Sequence, residues 1–150
     1  MERPAVLVVD DDPYDLLALE AALAPLGYEV VPARGGEEAL RLLLERRFDA
    51  AVLDVMMPRL NGLETAALIH LRESSCALPL LLLTGFDEDG LKTLPGWSSL
   101  LRVDYLAKPV EAEALRAAVS AMVQGLSASV AAKQAIRSDK ALTPGSQPSS

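Results

Sequence analysis

Five short apolar runs, each followed by a stretch with helical spacing, constrain this chain more than any other feature. Ala5 to Val9 contains only Ala, Leu and Val, and after a polar cluster Leu16, Leu19, Leu23 and Leu26 recur at the 3/4 spacing of an amphipathic helix. Gly27 supplies a helix stop, Tyr28 to Pro32 a second strand, and Glu37 to Arg47 a helix with Leu40, Leu43 and Leu44 on one face. The alternation continues with a strand over Ala50 to Leu53, a helix over Gly62 to Glu73, and a strand over Pro79 to Leu83. An ill-defined helical region, a strand over Asp104 to Ala107 and a helix over Glu111 to Gln124 complete it. Strands that stay apolar on both faces belong in a parallel sheet covered by helices on each side. The expectation is a doubly wound α/β domain of five strands and five helices.

Composition narrows the function classes. The chain has 150 residues and a net charge of −7, which suits one domain with its own core. Residues 125–150 carry Lys133, Arg137 and Lys140 against Asp139, so the −7 of the whole chain becomes −9 for residues 1–124. Such a surface repels phosphate backbones and anionic lipid, which disfavours direct nucleic-acid or membrane binding. One cysteine, Cys76, and one histidine, His70, fall short of an internal disulfide or a structural zinc site. No apolar run approaches the roughly 18 residues that span a bilayer, so a reducing, cytoplasmic setting is expected. After Gly125 the composition shifts to Ala, Ser, Lys and Pro. Residues 1–124 are therefore read as the folded domain, and 125–150 as a tail, partly helical and then disordered from 139.

In open α/β sheets ligands bind beyond the carboxyl ends of the strands, near the point where strand order reverses. The first strand ends in Asp10, Asp11 and Asp12, the third in Asp54, the fourth in Thr84 and the fifth in Lys108. Each could be a solvated turn residue or a helix cap, and for Asp12 before Pro13 a cap is the better reading. Taken together they point elsewhere. Clustered carboxylates raise one another's pKa unless a cation neutralises them, so Asp10, Asp11 and Asp54 form a candidate site for a hard divalent ion such as Mg²⁺. Lys108 and Thr84 could bind phosphoryl oxygens and stabilise their charge. Asp54 stands alone at its strand end and is the candidate nucleophile for an aspartyl phosphate.

The residues VVDDD at 8–12, LDVMMPRLNG at 53–62, LLTG at 82–85 and DYLAKP at 104–109 resemble, in order and spacing, a receiver domain of a two-component response regulator of the stand-alone type. The resemblance covers about residues 4–124. It implies a flavodoxin-like parallel sheet of order 2-1-3-4-5 and Asp54 as phosphoacceptor. It also implies Mg²⁺ or Mn²⁺ held by Asp10, Asp11, Asp54 and the backbone carbonyl of Met56. Thr84 and Tyr105 are implied as switch residues, Lys108 as the phosphate-contacting lysine, and the Lys108–Pro109 bond as cis. The implied donor is a sensor histidine kinase or a histidine phosphotransfer protein. Output would pass through the face of the fourth helix, fifth strand and fifth helix to a downstream protein, with a homodimer as a further option. Such a domain is not an enzyme, beyond Mg²⁺-dependent self-phosphorylation and slow autodephosphorylation. No helix-turn-helix or second globular segment is read after residue 124.

Two departures stand out. Pro95 and Gly96 fall where the fourth helix should run, and helix-interior Pro and Gly cost about 3 and 1 kcal/mol. That helix is expected to be short, displaced or broken, with Trp97 on an irregular segment. Met56 and Phe86, two residues beyond Asp54 and Thr84, fall at positions that the resemblance implies border the path of the water attacking the acyl phosphate, and both are apolar, which predicts poor orientation of that water and a long-lived acyl phosphate. A haloacid-dehalogenase-like phosphatase uses similar ingredients, but Tyr14 is wrong for that family and no acidic metal pair follows Lys108. A receiver-fold interaction module without phosphorylation is the third alternative.

Overall fold

The computed structural model describes residues 3–100 and 103–142. Five parallel strands, β1 (Ala5–Val9), β2 (Glu29–Ala33), β3 (Ala50–Asp54), β4 (Leu80–Thr84) and β5 (Asp104–Ala107), lie in the order β2-β1-β3-β4-β5. The strand order expected from the resemblance is thus observed. Strands β1, β3 and β4 are buried along their whole length, which is why their sequences lack polar alternation.

Successive side chains feed two cores. Val6, Val8, Val52, Leu81 and Leu83 pack beneath α1 (Pro13–Leu23) and α5 (Ala112–Val123). Leu7, Val9, Leu53, Leu80 and Leu82 pack beneath α2 (Gly36–Glu45) and α3 (Gly62–Leu71). The helix starts are written locally. The Asp12 carboxylate accepts from the Tyr14 N–H at 2.8 Å, ahead of Pro13 in the first turn of α1, so Asp12 is a cap. Asn61 and Glu64 form a reciprocal capping box at the start of α3.

As the Pro95–Gly96 pair implies, the region after β4 is not a regular helix. It contains one turn, α4 (Glu88–Leu91), whose Leu91 is fully buried, and a 3-10 turn over Trp97–Ser99. Between them Gly96 takes φ +93, a conformation L side chains rarely adopt.

A sixth helix departs from the five-helix expectation. After Gly125 (φ +78) the chain reverses into α6 (Ala128–Leu142). Ala128 and Ala132 are buried in the α1/α5 core with Ile136 against it, and the Ser129 hydroxyl donates to Asp104 at 3.1 Å. The composition shift at 125 therefore does not end the packed unit. Residues 139–142, expected to be disordered, continue this helix; residues 143–150 lie outside the described residues. Small Ala side chains look polar-neutral in composition, yet on one helical stripe they allow close approach to α5.

Candidate functional site

Sheet topology decides where the chemistry meets. Strand order reverses between β1 and β3, so the loops after these two strands leave in opposite directions and open a crevice at their carboxyl ends. Register sets the depth. Val9 pairs with Leu53, Asp54 with Leu83 and Thr84 with Ala107, which brings Asp10, Asp54, Thr84 and Lys108 to one edge.

Carboxylate oxygens of Asp10, Asp11 and Asp54 all lie within 4.8 Å of one another. Asp10 and Asp54 are buried and Asp11 is exposed, so the cluster has a dry floor and a wet mouth. Asp10 accepts from the Asp12 N–H at 3.0 Å. The Lys108 ammonium donates to Oδ1 of Asp54 in a very short charged contact, although the two residues are 54 positions apart. The Lys108 N–H donates to the Thr84 carbonyl at 2.8 Å, fixing the lysine at the end of β5. The Lys108–Pro109 bond is cis.

Thr84 is buried, and its hydroxyl accepts from the Phe86 N–H at 2.9 Å. Tyr105 lies on β5 and is 37% exposed, as is Phe86, while Met56 is 55% exposed. Neither Met56 nor Phe86 carries a polar side-chain group.

The electrostatics follow from this crowding. Burial pushes Asp10 up from 3.8 to about 6, against the Asp12 N–H and with help from the Asp54 charge. Burial also raises Asp54, outweighing the hydrogen bond and charge of Lys108. Lys108 loses some proton affinity to burial, but its contact with Asp54 more than restores it, and its pKa is raised. Two of the three carboxylates thus resist ionisation together, which is the electrostatic signature of a cluster suited to a divalent cation. Their oxygen donors suit a hard ion such as Mg²⁺.

Two neighbours escaped the reading of strand ends. Asp15, in the first turn of α1, raises both Asp10 and Asp54 and, with Lys108 and Leu115, lines a groove of about 370 Å³ beside the cluster. Its one signal was its position one helical turn beyond Asp11. Asn61, beyond its capping role, reaches with Nδ2 to the Pro95 carbonyl at 3.2 Å, a contact no local pattern announces.

Residues 6–120 match the model of the response regulator receiver domain. The chain is 41% identical over 119 residues to the response regulator MprA of Mycobacterium sp. strain KMS, covering 79% of this chain and 50% of that one. It is 36% identical over 121 residues to the transcriptional regulatory protein AfsQ1 of Streptomyces coelicolor, covering 81% and 52%. The chain thus spans about half the length of these curated relatives, but it aligns with 98% of the protein PilH of Pseudomonas aeruginosa, at 30% identity over 80% of its own length. Among solved structures, a response regulator from Chloroflexus aurantiacus superposes with a TM-score of 0.73 at 31% identity, covering 82% of this chain and 99% of that one. The receiver domain of the sensor histidine kinase PA1611 of Pseudomonas aeruginosa, which has a magnesium ion coordinated in its active-site cleft, superposes with a TM-score of 0.68 at 28% identity, covering 83% and 97%. With a family model matched over most of its length, the chain belongs to the response regulator receiver domain family.

Proposed function

We propose that this domain is a phosphorylation-dependent signalling switch in which Asp54 accepts a phosphoryl group from a phosphohistidine on a sensor histidine kinase or a histidine phosphotransfer protein. The observation that carries the reading is the Lys108 ammonium on Asp54 with the Asp10 and Asp11 carboxylates alongside. An oxygen of Asp54 forms the new bond to phosphorus as the bond from phosphorus to the histidine nitrogen breaks, and the freed imidazole takes a proton from solvent. Asp10, Asp11, Asp54 and the Met56 carbonyl would hold the Mg²⁺ or Mn²⁺. When bound, the ion neutralises the carboxylates and offers open positions to phosphoryl oxygens.

The chain's own groups do the rest. Lys108 leaves the free carboxylate oxygen and follows the incoming charge onto a phosphoryl oxygen. The Thr84 hydroxyl, held by the Phe86 N–H, turns to donate to a second one. Tyr105, partly exposed on β5, responds to that turn. Interactions made only in the phosphorylated form bias the conformational equilibrium. The readout passes through the α4-β5-α5 face to a downstream protein or a second copy of the chain, in a cytoplasmic setting.

Incubation with acetyl phosphate and Mg²⁺ tests the reading. Label should appear on the native protein and be absent from Asp54→Asn. A protein that instead turns over external phosphate monoesters would be a phosphatase, and one that takes up no label from any donor would be an interaction module.

A further inference from the structure

The segment between α4 and β5 is braced on the site in a way that needs no regular fourth helix. Gly62 opens α3 so close to the acceptor strand that a Cβ there would lie 2.4 Å from the Asp54 carbonyl oxygen. Its N–H also donates to the Val55 carbonyl at 2.8 Å. The first turn of α3 is therefore keyed to the backbone of Asp54. One residue earlier, the Asn61 side chain divides its two ends. Oδ1 accepts from the Glu64 N–H at 2.7 Å and Nδ2 donates to the Pro95 carbonyl at 3.2 Å. Only an amide satisfies both partners, because a carboxylate at this position has no donor for a carbonyl. Next to Pro95, Gly96 presses on the same helix start, with a Cβ there meeting the Glu64 N at 2.8 Å. The following residue is Trp97, which is partly buried and walls a cavity of about 290 Å³ with Leu82, Val103 and Tyr105.

We propose that Asn61 is a positioning residue that carries the state of Asp54 to the Pro95–Trp97 segment, so that this segment does the work of the shortened α4. The inference rests on the phosphoacceptor reading above. The link runs through backbone from Asp54 to Gly62 and Asn61, crosses to the Pro95 carbonyl by the short Asn61 side-chain amide, and continues to Gly96 and Trp97. The cavity beside Trp97 gives the segment room for a second arrangement, which a two-state element requires.

The sequence contains one tryptophan, so emission excited where tryptophan absorbs and the three tyrosines do not reports on this segment alone. The full chain is titrated with beryllofluoride and Mg²⁺ while Trp97 emission is followed, and Asp54 labelling by acetyl phosphate is measured in parallel. Asn61→Asp keeps a cap of equal strength but turns the contact with the Pro95 carbonyl repulsive. Asn61→Ser keeps a cap without adding charge and is too short to reach Pro95. The native protein should show a saturable emission change. Both variants should melt near the native temperature, retain Asp54 labelling and lose that change. Variants that respond like the native chain would overturn the proposal, as would a labelled native protein whose Trp97 is silent. Failure of Asp54 to take label at all would instead remove the phosphoacceptor reading, and this inference with it.

Discussion

Gly62→Ala measures how tightly the acceptor strand and α3 are keyed together. The added Cβ would meet the Asp54 carbonyl oxygen at 2.4 Å, the Val55 Cα at 2.8 Å and the Asp54 carbonyl carbon at 3.0 Å. Comfortable carbon contacts lie near 3.5–4.0 Å, so the helix start must move by about 1 Å. The obstructing atoms are buried backbone at the carboxyl end of β3 and just beyond it, and cannot swing aside. Overpacking a core costs about 1–3 kcal/mol, and this site belongs at the upper end. Displacing the Gly62 N–H from the Val55 carbonyl adds about 1 kcal/mol. Better helix propensity returns about 1 kcal/mol. The net is about 3 kcal/mol, which for a chain of this size lowers Tm by roughly 6–12 °C. Gly85→Ala is the control: the residue is exposed and its Cβ would meet nothing within 4 Å, so the change should stay within about 0.5 kcal/mol. Paired thermal melts by circular dichroism read both. A Gly62→Ala protein that melts like the control would refute the claim that this contact sets the geometry around Asp54.

Other outcomes follow from the same structure. In the metal-free protein the folded state holds the Asp10 proton to about pH 6, against an ordinary value of 3.8. The folded state therefore binds more protons than the unfolded one, and stability should fall as pH rises from about 4 to about 6. Mg²⁺ favours the carboxylates and should flatten that slope; urea melts in EDTA and in Mg²⁺ across this range check it, and identical slopes would count against the cluster. Lys108→Met removes the partner of a buried carboxylate and should cut acetyl phosphate labelling at least tenfold, or about 1.4 kcal/mol of barrier; near-native labelling would leave the lysine without a role. Met56→Asn with Phe86→Glu should speed loss of phosphate about tenfold by giving water a polar guide, and unchanged or slower decay would refute it. Ala132→Glu forces a charge into the α5–α6 contact, where Ala132 is 1% exposed, at a cost of several kcal/mol. Amide exchange should then rise along α6 while β1, β3 and β4 stay protected; retained protection in α6 would show that the helix does not rest on that contact.

What could be read along the chain was local chemistry. Apolar runs without alternation marked β1, β3 and β4, because a strand covered on both faces has no solvated side. Asp12 and Pro13 marked the start of α1, and Pro95 with Gly96 marked the failure of the fourth helix, since each acts within a turn of itself. The polar residues at strand ends were legible as well, because the carboxyl edge of a parallel sheet is where such residues gather. Three features depended on tertiary structure. The contact of Lys108 with Asp54 spans 54 positions and exists because strand order and register bring β3 and β5 to the same edge. The docking of α6 on α5 depends on a stripe of small alanines, whose burial comes from what faces them and leaves little trace in composition. The reach of Asn61 to Pro95 follows from the packing of an irregular segment on a helix start. Local signals depend on a residue and its near neighbours, whereas these contacts depend on which distant surfaces the completed fold presses together.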